Sequence, residues 1–203
     1  MPGRRTTDAT GMTHLRSWLD DLHLRLLVRW ERRRPPLPYS DRIDREIVVP
    51  RDRAGRPGYR FAAAGPSRPV RERSTRGATT DFVVRVGAAS YVMGTCARPG
   101  DAAEGLLALS QESLDHVLSG SHGLRARQLA APYATSLAGA PASAFQIEVE
   151  SSPRRHVHTD TIVSYDGWLL TVGVFDAPAD QPTSTALVEA LLASWTWLPA
   201  GAR

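Results

Sequence analysis

The apolar residues near the start of the chain have the spacing of an amphipathic helix. Within residues 14–34, leucines and tryptophans recur at steps of three and four and share one helical face: Leu15, Trp18, Leu19, Leu22, Leu26 and Trp30. Thr13 is a suitable N-cap, and the prolines at 35 and 36 end the helix. We therefore predict an amphipathic helical extension over residues 1–40, followed by a single domain over 41–203.

Apolar and polar residues alternate in much of the remaining chain, which is typical of β-strands. We expect strands at REIVVP, GYRFAAA, DFVVRV, SYVMGTCA, LRARQLAAP, AFQIEVE, RHVHTDTIVSY, WLLTVGVF and TWL. Helical spacing returns over 101–120, where Asp101 and Glu104 form a capping-box pattern, and over 180–195. The arginine-, proline- and glycine-rich segment at about 62–80 is predicted as a loop. Because strands and helices do not alternate, we predict an α+β fold with an antiparallel β-sheet flanked by helices.

All 25 basic residues are arginines, because the sequence contains no lysine. Chemistry that depends on a lysine, such as the P-loop contact with a nucleotide phosphate or a pyridoxal phosphate Schiff base, is therefore excluded. The single cysteine, Cys96, allows neither an intramolecular disulfide nor a cysteine zinc cluster. Neither a G-x-S-x-G elbow nor a G-x-G-x-x-G loop occurs. We accordingly expect no enzyme activity and no cofactor.

The arginines are concentrated in the N-terminal part of the chain. Residues 1–80 contain 18 arginines and 9 acidic residues, whereas residues 81–203 contain 7 arginines and 12 acidic residues. A basic segment of this kind can bind an acidic protein, an anionic membrane or nucleic acid, or it can remain solvated or fold back on its own domain. The arginine-rich loop has no interleaved aromatic residue, which argues against nucleic acid.

The predicted N-terminal helix supplies the candidate binding residues. Its acidic residues Asp20, Asp21 and Glu31 favour packing on a protein surface over lying on a membrane, which is kept as an alternative. We expect a protein partner, either acidic or an amphipathic helix, bound by Trp18, Arg25, Arg29, Trp30, Arg32, Arg33 and Arg34. The sequence shows no signal peptide, lipobox or transmembrane segment, so a cytoplasmic location is expected. The oligomeric state is not determined by the sequence.

The dipeptide Asp166-Gly167 is the strongest hairpin signal in the chain and predicts a type I′ turn. A two-residue turn pairs residue 165 with 168, 163 with 170, 161 with 172 and 159 with 174. One face of the hairpin is then apolar, with Val157, Val163, Tyr165, Trp168, Leu170, Val172 and Val174. The opposite face is polar, with His156, His158 and Asp160.

The strand before this hairpin extends the polar face. If its apolar residues Phe145, Ile147 and Val149 join the same core, residue 148 lies opposite 158 and residue 150 opposite 156. Such carboxylate–imidazole pairs are ordinary cross-strand contacts, or they can hold a metal ion. A metal-binding module or metal-dependent hydrolase is therefore an alternative function, with Glu148, Glu150, His156 and His158 as the metal ligands.

Three C-terminal segments carry a resemblance to a known family. SLAGAPASAFQIEVE (136–150), VSYDGWLLTVGV (163–174) and ALVEALLASWTWL (186–198) resemble the strand, hairpin and final helix of the PsbP/Mog-like proteins, over about 124–198. This family includes photosystem extrinsic proteins, Ran-binding Mog proteins and bacterial relatives, among them actinobacterial lipoproteins and secretion chaperones. The resemblance implies an α/β/α sandwich. It also implies a non-enzymatic binding, adaptor or chaperone-like accessory protein, whose basic N-terminal region and sheet face dock a protein partner.

Overall fold

The computed structural model describes residues 40–53, 55–65, 68–73, 79–100, 105–119, 125–151 and 154–199. Within these ranges the chain forms ten β-strands and two α-helices. The predicted N-terminal helix lies outside the described residues, and so do all the tryptophans and arginines assigned to it as binding residues.

The elements follow one another along the chain in the order β1 (Ile43–Val49), β2 (Tyr59–Ala64), β3 (Arg68–Arg73), β4 (Thr79–Arg85), β5 (Tyr91–Pro99), α1 (Leu106–Leu118), β6 (Arg125–Leu137), β7 (Ala140–Ser151), β8 (Arg154–Tyr165), β9 (Trp168–Asp176), α2 (Thr183–Ala193) and β10 (Thr196–Trp197). A 3-10 turn at Pro178–Asp180 precedes α2. The predicted α+β class, with antiparallel sheets and flanking helices, is confirmed.

The strands form two antiparallel sheets of unequal size. The larger sheet has seven strands in the order β3-β4-β5-β9-β8-β7-β6, and the smaller sheet has the order β1-β2-β10. The predicted closing strand is therefore present, since β10 pairs with β2 through Thr196 and Trp197. Both helices lie against the sheets rather than between successive parallel strands, as the lack of alternation in the sequence indicated.

The main core lies between the two sheets and is closed by α2. Trp195, which follows α2, stacks on Tyr59 with 4.4 Å and on Phe61 with 5.0 Å between ring centroids. Next to these rings Arg56 and Asp81 form a buried ion pair of 2.8 Å, and the Tyr59 hydroxyl donates to Asp81 over 3.0 Å. Because both ions are buried, loss of either one would leave an uncompensated charge in the core and destabilise the protein.

Helix α1 covers part of the opposite face of the larger sheet. Its Leu114 and Val117 belong to a second apolar cluster with residues of β7, namely Phe145, Ile147 and Val149. The hydroxyls of Ser110 in α1 and Ser143 in β7 share a hydrogen bond in the middle of this contact. Both faces of the larger sheet are therefore buried over part of their area, whereas the sequence predicted a polar face opposite the core.

Two sequence predictions need correction at the level of single elements. Helix α1 begins at Leu106, later than predicted, with Gly105 as N-cap and no capping side chain, and Asp101 and Glu104 of the expected capping box lie outside the described residues. The segment at about 62–80 is not all loop, because residues 68–73 form β3, which pairs with β4 at the edge of the larger sheet. Charged residues are common on edge strands, which explains why an arginine-rich stretch can occupy this position.

Candidate binding surface

The hairpin of β8 and β9 has the predicted register. Tyr165 pairs with Trp168 and Val163 with Leu170, and the turn residues Asp166 and Gly167 have φ angles of 50° and 70°. Positive φ at both central residues is the mark of a type I′ turn. The predicted inward face is also confirmed at its centre, since Val163 is 0% and Leu170 3% exposed.

The pairing of β7 with β8 differs from the predicted register by one residue. Ile147, not Glu148, lies opposite His158, and Val149, not Glu150, lies opposite His156. The prediction assumed that every apolar residue of β7 must face the core of the hairpin. That assumption fails because α1 buries the other face, so the apolar side chains of β7 pack beneath the helix together with the histidines.

The two histidines and Asp160 are consequently core residues rather than members of a solvated face. His156, His158 and Asp160 are 6%, 2% and 5% exposed. The Nε2 atom of His158 lies 3.1 Å from Oδ1 of Asp160, and the imidazole stacks on the ring of Phe175 with 3.9 Å between centroids. A buried polar group that is hydrogen-bonded in this way fixes the packing around it.

The predicted four-residue metal site is therefore not formed. Glu148 and Glu150 point to the face of the sheet opposite His156 and His158, so the four side chains cannot share one ion. Within the part of the chain that the structure describes, no group of three or more histidine, cysteine, aspartate or glutamate side chains has a metal-binding arrangement.

The two glutamates instead take part in a ladder of ion pairs with arginines from neighbouring strands. Glu148 lies 3.1 Å from Arg127 of β6 and 3.3 Å from Arg155 of β8, and Arg155 also lies 3.1 Å from Glu150. The arginine side chains remain 69% and 58% exposed, whereas that of Glu148 is only 11% exposed. Arg127 and Arg155 are thus exposed to solvent, and Glu148 beneath them fixes the position of both guanidinium groups.

This ladder is part of a wider surface, which we call the open face. It continues the inner face of the larger sheet past the main core, and its residues are partly or largely exposed: Arg127, Tyr133, Gln146, Glu148, Arg155, Val157 and Thr159. Tyr133 is 43% exposed, and the Gln146 side chain donates to the Thr159 hydroxyl over 3.1 Å. A surface that combines an exposed aromatic ring with positioned arginine side chains can bind another molecule.

Tyr133 and Arg127 were not predicted as members of a surface. The strand was predicted to end near Pro132, whereas β6 continues to Leu137 and accommodates the proline between register shifts in its pairing with β7. Proline is tolerated on an edge strand, where the missing N–H is not needed by a neighbour. Tyr133 and Thr135, whose residue types favour strands, were the signal that could have extended the strand beyond Pro132.

Known proteins resemble this chain in structure, but no match is found by sequence. No protein-family model matches this sequence, and no curated protein matches it. In the described residues, no helix is both long and apolar enough to cross a membrane.

Solved structures do show similarity. CyanoP, the cyanobacterial PsbP protein of Synechocystis sp. PCC 6803, is 15% identical over 76% of this chain and 92% of that chain, with a TM-score of 0.51. LpqN of Mycobacterium tuberculosis, involved in cell envelope biogenesis, is 13% identical over 76% and 91% of the two chains, with a TM-score of 0.44. PA94 of Pseudomonas aeruginosa, a candidate regulator of unknown function, is 13% identical over 78% and 100%, with a TM-score of 0.41. The similarity to CyanoP shows that the chain has a PsbP-like fold.

Proposed function

We propose that this chain is a non-enzymatic binding protein, an adaptor or chaperone-like accessory factor, that docks a protein partner. The open face and the basic N-terminal region are the two surfaces that would make the contact. The observation that carries the proposal is the open face itself, where Tyr133 and two arginines are exposed while Glu148 beneath them is nearly buried.

The geometry of the open face suits a protein partner. Tyrosine and arginine are enriched among the residues that contribute most to protein interfaces. Arg127 and Arg155 are positioned by Glu148, so less side-chain entropy is lost when they bind a second carboxylate. The arginine excess of residues 1–80 favours the same kind of partner, which is acidic or presents an acidic amphipathic helix.

Four polar side chains that could support catalysis lie away from this surface. His158 and Asp160 are buried on the α1 side of the sheet. Ser110 and Ser143 are buried between α1 and β7, where their hydroxyls are hydrogen-bonded to each other. A nucleophile or base must reach its substrate, which these four side chains cannot do from the core. This arrangement supports a binding role for the described part of the chain.

The experiment is a cross-linked affinity capture from the source cells with full-length tagged protein. Arg127→Glu combined with Tyr133→Ala is expected to reduce recovery of the partner about tenfold, because it removes an anchor and reverses a charge. Arg60→Glu is the matched control: Arg60 of β2 is 51% exposed and pairs with Glu46 over 3.6 Å, but it lies on the smaller sheet. Equal recovery with the double variant and the wild-type protein would overturn the role of the open face.

The N-terminal contribution is tested by substitution rather than by a long deletion, because removing residues 1–80 would also remove β1, β2 and β3. Arg32→Glu, Arg33→Glu and Arg34→Glu together are expected to weaken capture about tenfold at low salt and less at high salt. Unchanged capture would show that these arginines do not contact the partner. Binding of the wild-type protein to anionic vesicles, lost at high salt, would instead favour attachment to a membrane surface.

A further inference from the structure

Strand β6 forms one edge of the larger sheet. Among the described residues it pairs with β7 along one side and has no strand on the other. Edge strands commonly carry charged residues or proline, which prevent pairing with another chain. The first part of β6 has both, with arginines at 125 and 127 and a proline at 132. Residues 133–137, which we call the uncharged edge, have neither.

The turn between β6 and β7 shows which backbone groups of the uncharged edge point outward. Leu137 pairs with Ala140 across a two-residue turn, and such a flanking pair exchanges both backbone hydrogen bonds. Along the strand, the N–H and C=O groups then point alternately towards β7 and away from it. Those of Thr135 point towards β7, whereas those of Ala134 and Ser136 point outward. All three of these residues are exposed.

Large apolar side chains lie beside the uncharged edge on both faces of the sheet. Tyr133 belongs to the open face and is 43% exposed. On the other face α1 packs on β6, and its Leu107 is 48% exposed. Leu109 packs with Leu169 of β9 and so marks the side of α1 away from β6. Leu107 lies about 200° round the helix from Leu109 and is therefore on the β6 side. Exposed apolar side chains grouped at one edge are typical of an interface.

We propose that two copies of this chain associate by antiparallel pairing of their uncharged edges, with Thr135 on the two-fold axis. Ala134 then lies opposite Ser136 of the second copy, so the outward backbone groups of both residues are hydrogen-bonded across the axis. The two Thr135 side chains form a favourable cross-strand pair. On the faces of the joined sheet, Tyr133 and Leu107 lose exposed surface.

The contact is isologous, because the same segment of each copy makes it. The arginines at 125 and 127 lie beyond the paired segment, so like charges are not brought opposite each other. Joining the two sheets at their edges leaves both open faces accessible. The association therefore neither requires nor blocks the protein partner proposed above.

Sedimentation equilibrium of the full-length protein over a dilution series tests the association. The wild-type protein is expected to reach twice the mass of one chain, 22.1 kDa, and to dissociate on dilution. Thr135→Lys should raise the dissociation constant of the dimer about tenfold, because it places two positive charges opposite each other. Thr185→Lys is the matched control, since Thr185 is exposed on α2, which packs on β2 and β9. Leu107→Asp should weaken the dimer from the other face, and an acidic residue suits the first turn of α1.

Disulfide trapping tests the register. Thr135→Cys places the two new cysteines in one cross-strand pair, whose Cα atoms are about 4.5 Å apart and within disulfide range. In Ser136→Cys each new cysteine faces Ala134 of the other copy, so the two lie too far apart to be bridged. Mild oxidation should therefore give a covalent dimer with Thr135→Cys and not with Ser136→Cys. The wild-type protein, which keeps Cys96, gives the baseline.

Three results would overturn the inference. The first is a wild-type protein with the mass of one chain at every concentration. The second is a folded Thr135→Lys variant that dimerises as tightly as the wild-type protein, which would place the contact elsewhere. The third is preferential linking of Ser136→Cys, which would exclude the register. If circular dichroism shows that Thr135→Lys does not fold, Leu107→Asp decides by the same criterion. Because no partner is present, failure of these measurements is separate from failure of the capture experiment.

Discussion

Ile147 lies directly opposite His158 in the pairing of β7 with β8, so an isoleucine and an imidazole share the side of the sheet that α1 covers. This one relationship decides the chemistry of the region. It buries His158 beside Asp160, and it turns Glu148 and Glu150 outward to the arginines of the open face. A shift of one residue would exchange the two sets, because neighbouring residues of a strand point to opposite faces.

The buried contact between His158 and Asp160 should matter for stability. Asp160→Ala is expected to lower the free energy of unfolding by about 1–3 kcal/mol, because the imidazole loses a buried hydrogen-bond partner. Asp160→Asn keeps an oxygen acceptor at the same place and should lose less. Urea unfolding followed by circular dichroism measures both variants. Equal stability of Asp160→Ala and the wild-type protein would contradict the structural role of this pair.

Gly94 in β5 should tolerate no side chain. A Cβ atom at this position would overlap Cε1 of Phe82, because the ring of this β4 residue packs directly over the glycine. Gly94→Ala is therefore expected to destabilise the protein by about 1–3 kcal/mol through overpacking. Gly100→Ala is the control, since its added Cβ would meet Leu169 at 3.6 Å, an ordinary contact. Thermal unfolding of the two variants, compared with the wild-type protein, provides the measurement.

The turn between β6 and β7 offers a stabilising substitution. Ala138 has φ of 49° and Gly139 has φ of 80°, the pattern of a type I′ turn, but alanine is disfavoured in the left-handed region. Ala138→Asn should raise the free energy of unfolding by about 1 kcal/mol, because asparagine adopts this conformation more readily. Ala131→Asn, in the exposed part of β6, should bring no gain. A lower melting temperature of Ala138→Asn would show that the turn resists the change for another reason.

Asp180 should make the stability of the protein depend on pH in the acidic range. Burial alone would raise the pKa of its carboxyl group, but hydrogen bonds from the Ala89 backbone, from Ser90 and from the Ala88 backbone hold the pKa below its ordinary value. A lowered folded-state pKa contributes stability that is present above the unfolded pKa of about 3.9 and is lost as the pH falls through the folded pKa.

Asp180→Asn tests this dependence. Ala88 and Ala89 donate to different oxygens of Asp180, over 3.1 and 2.8 Å, and asparagine retains only one acceptor. Because water screens this partly exposed carboxylate, the variant should be less stable than the wild-type protein by only about 0.5–1 kcal/mol at pH 7, and the difference should shrink towards pH 3. Urea unfolding at several pH values measures it, with Glu189→Gln on the exposed side of α2 as the control. A difference that stays constant with pH would rule out the charge as its source.

Local sequence signals were sufficient to predict strand pairing where a short turn fixes the register. Asp166 and Gly167 determine the pairing of β8 with β9, and alternation alone located β4, β5 and β7 within a few residues. The α2 helix was also predictable, because Leu187 and Leu191 recur at helical spacing and are both buried. The strand β3 was not, because an arginine-rich edge strand and a solvated loop have the same composition.

The sequence by itself determined the α+β class, the antiparallel sheet, the β8–β9 hairpin and the exclusion of lysine-dependent chemistry. Only the tertiary structure decided which polar residues meet. Alternation in β7 shows which side chains share a face, but it does not show which face is the more buried, because that depends on where α1 packs. Since α1 lies far from β7 in the sequence and covers it through space, His158 became a core residue and Glu148 a surface one.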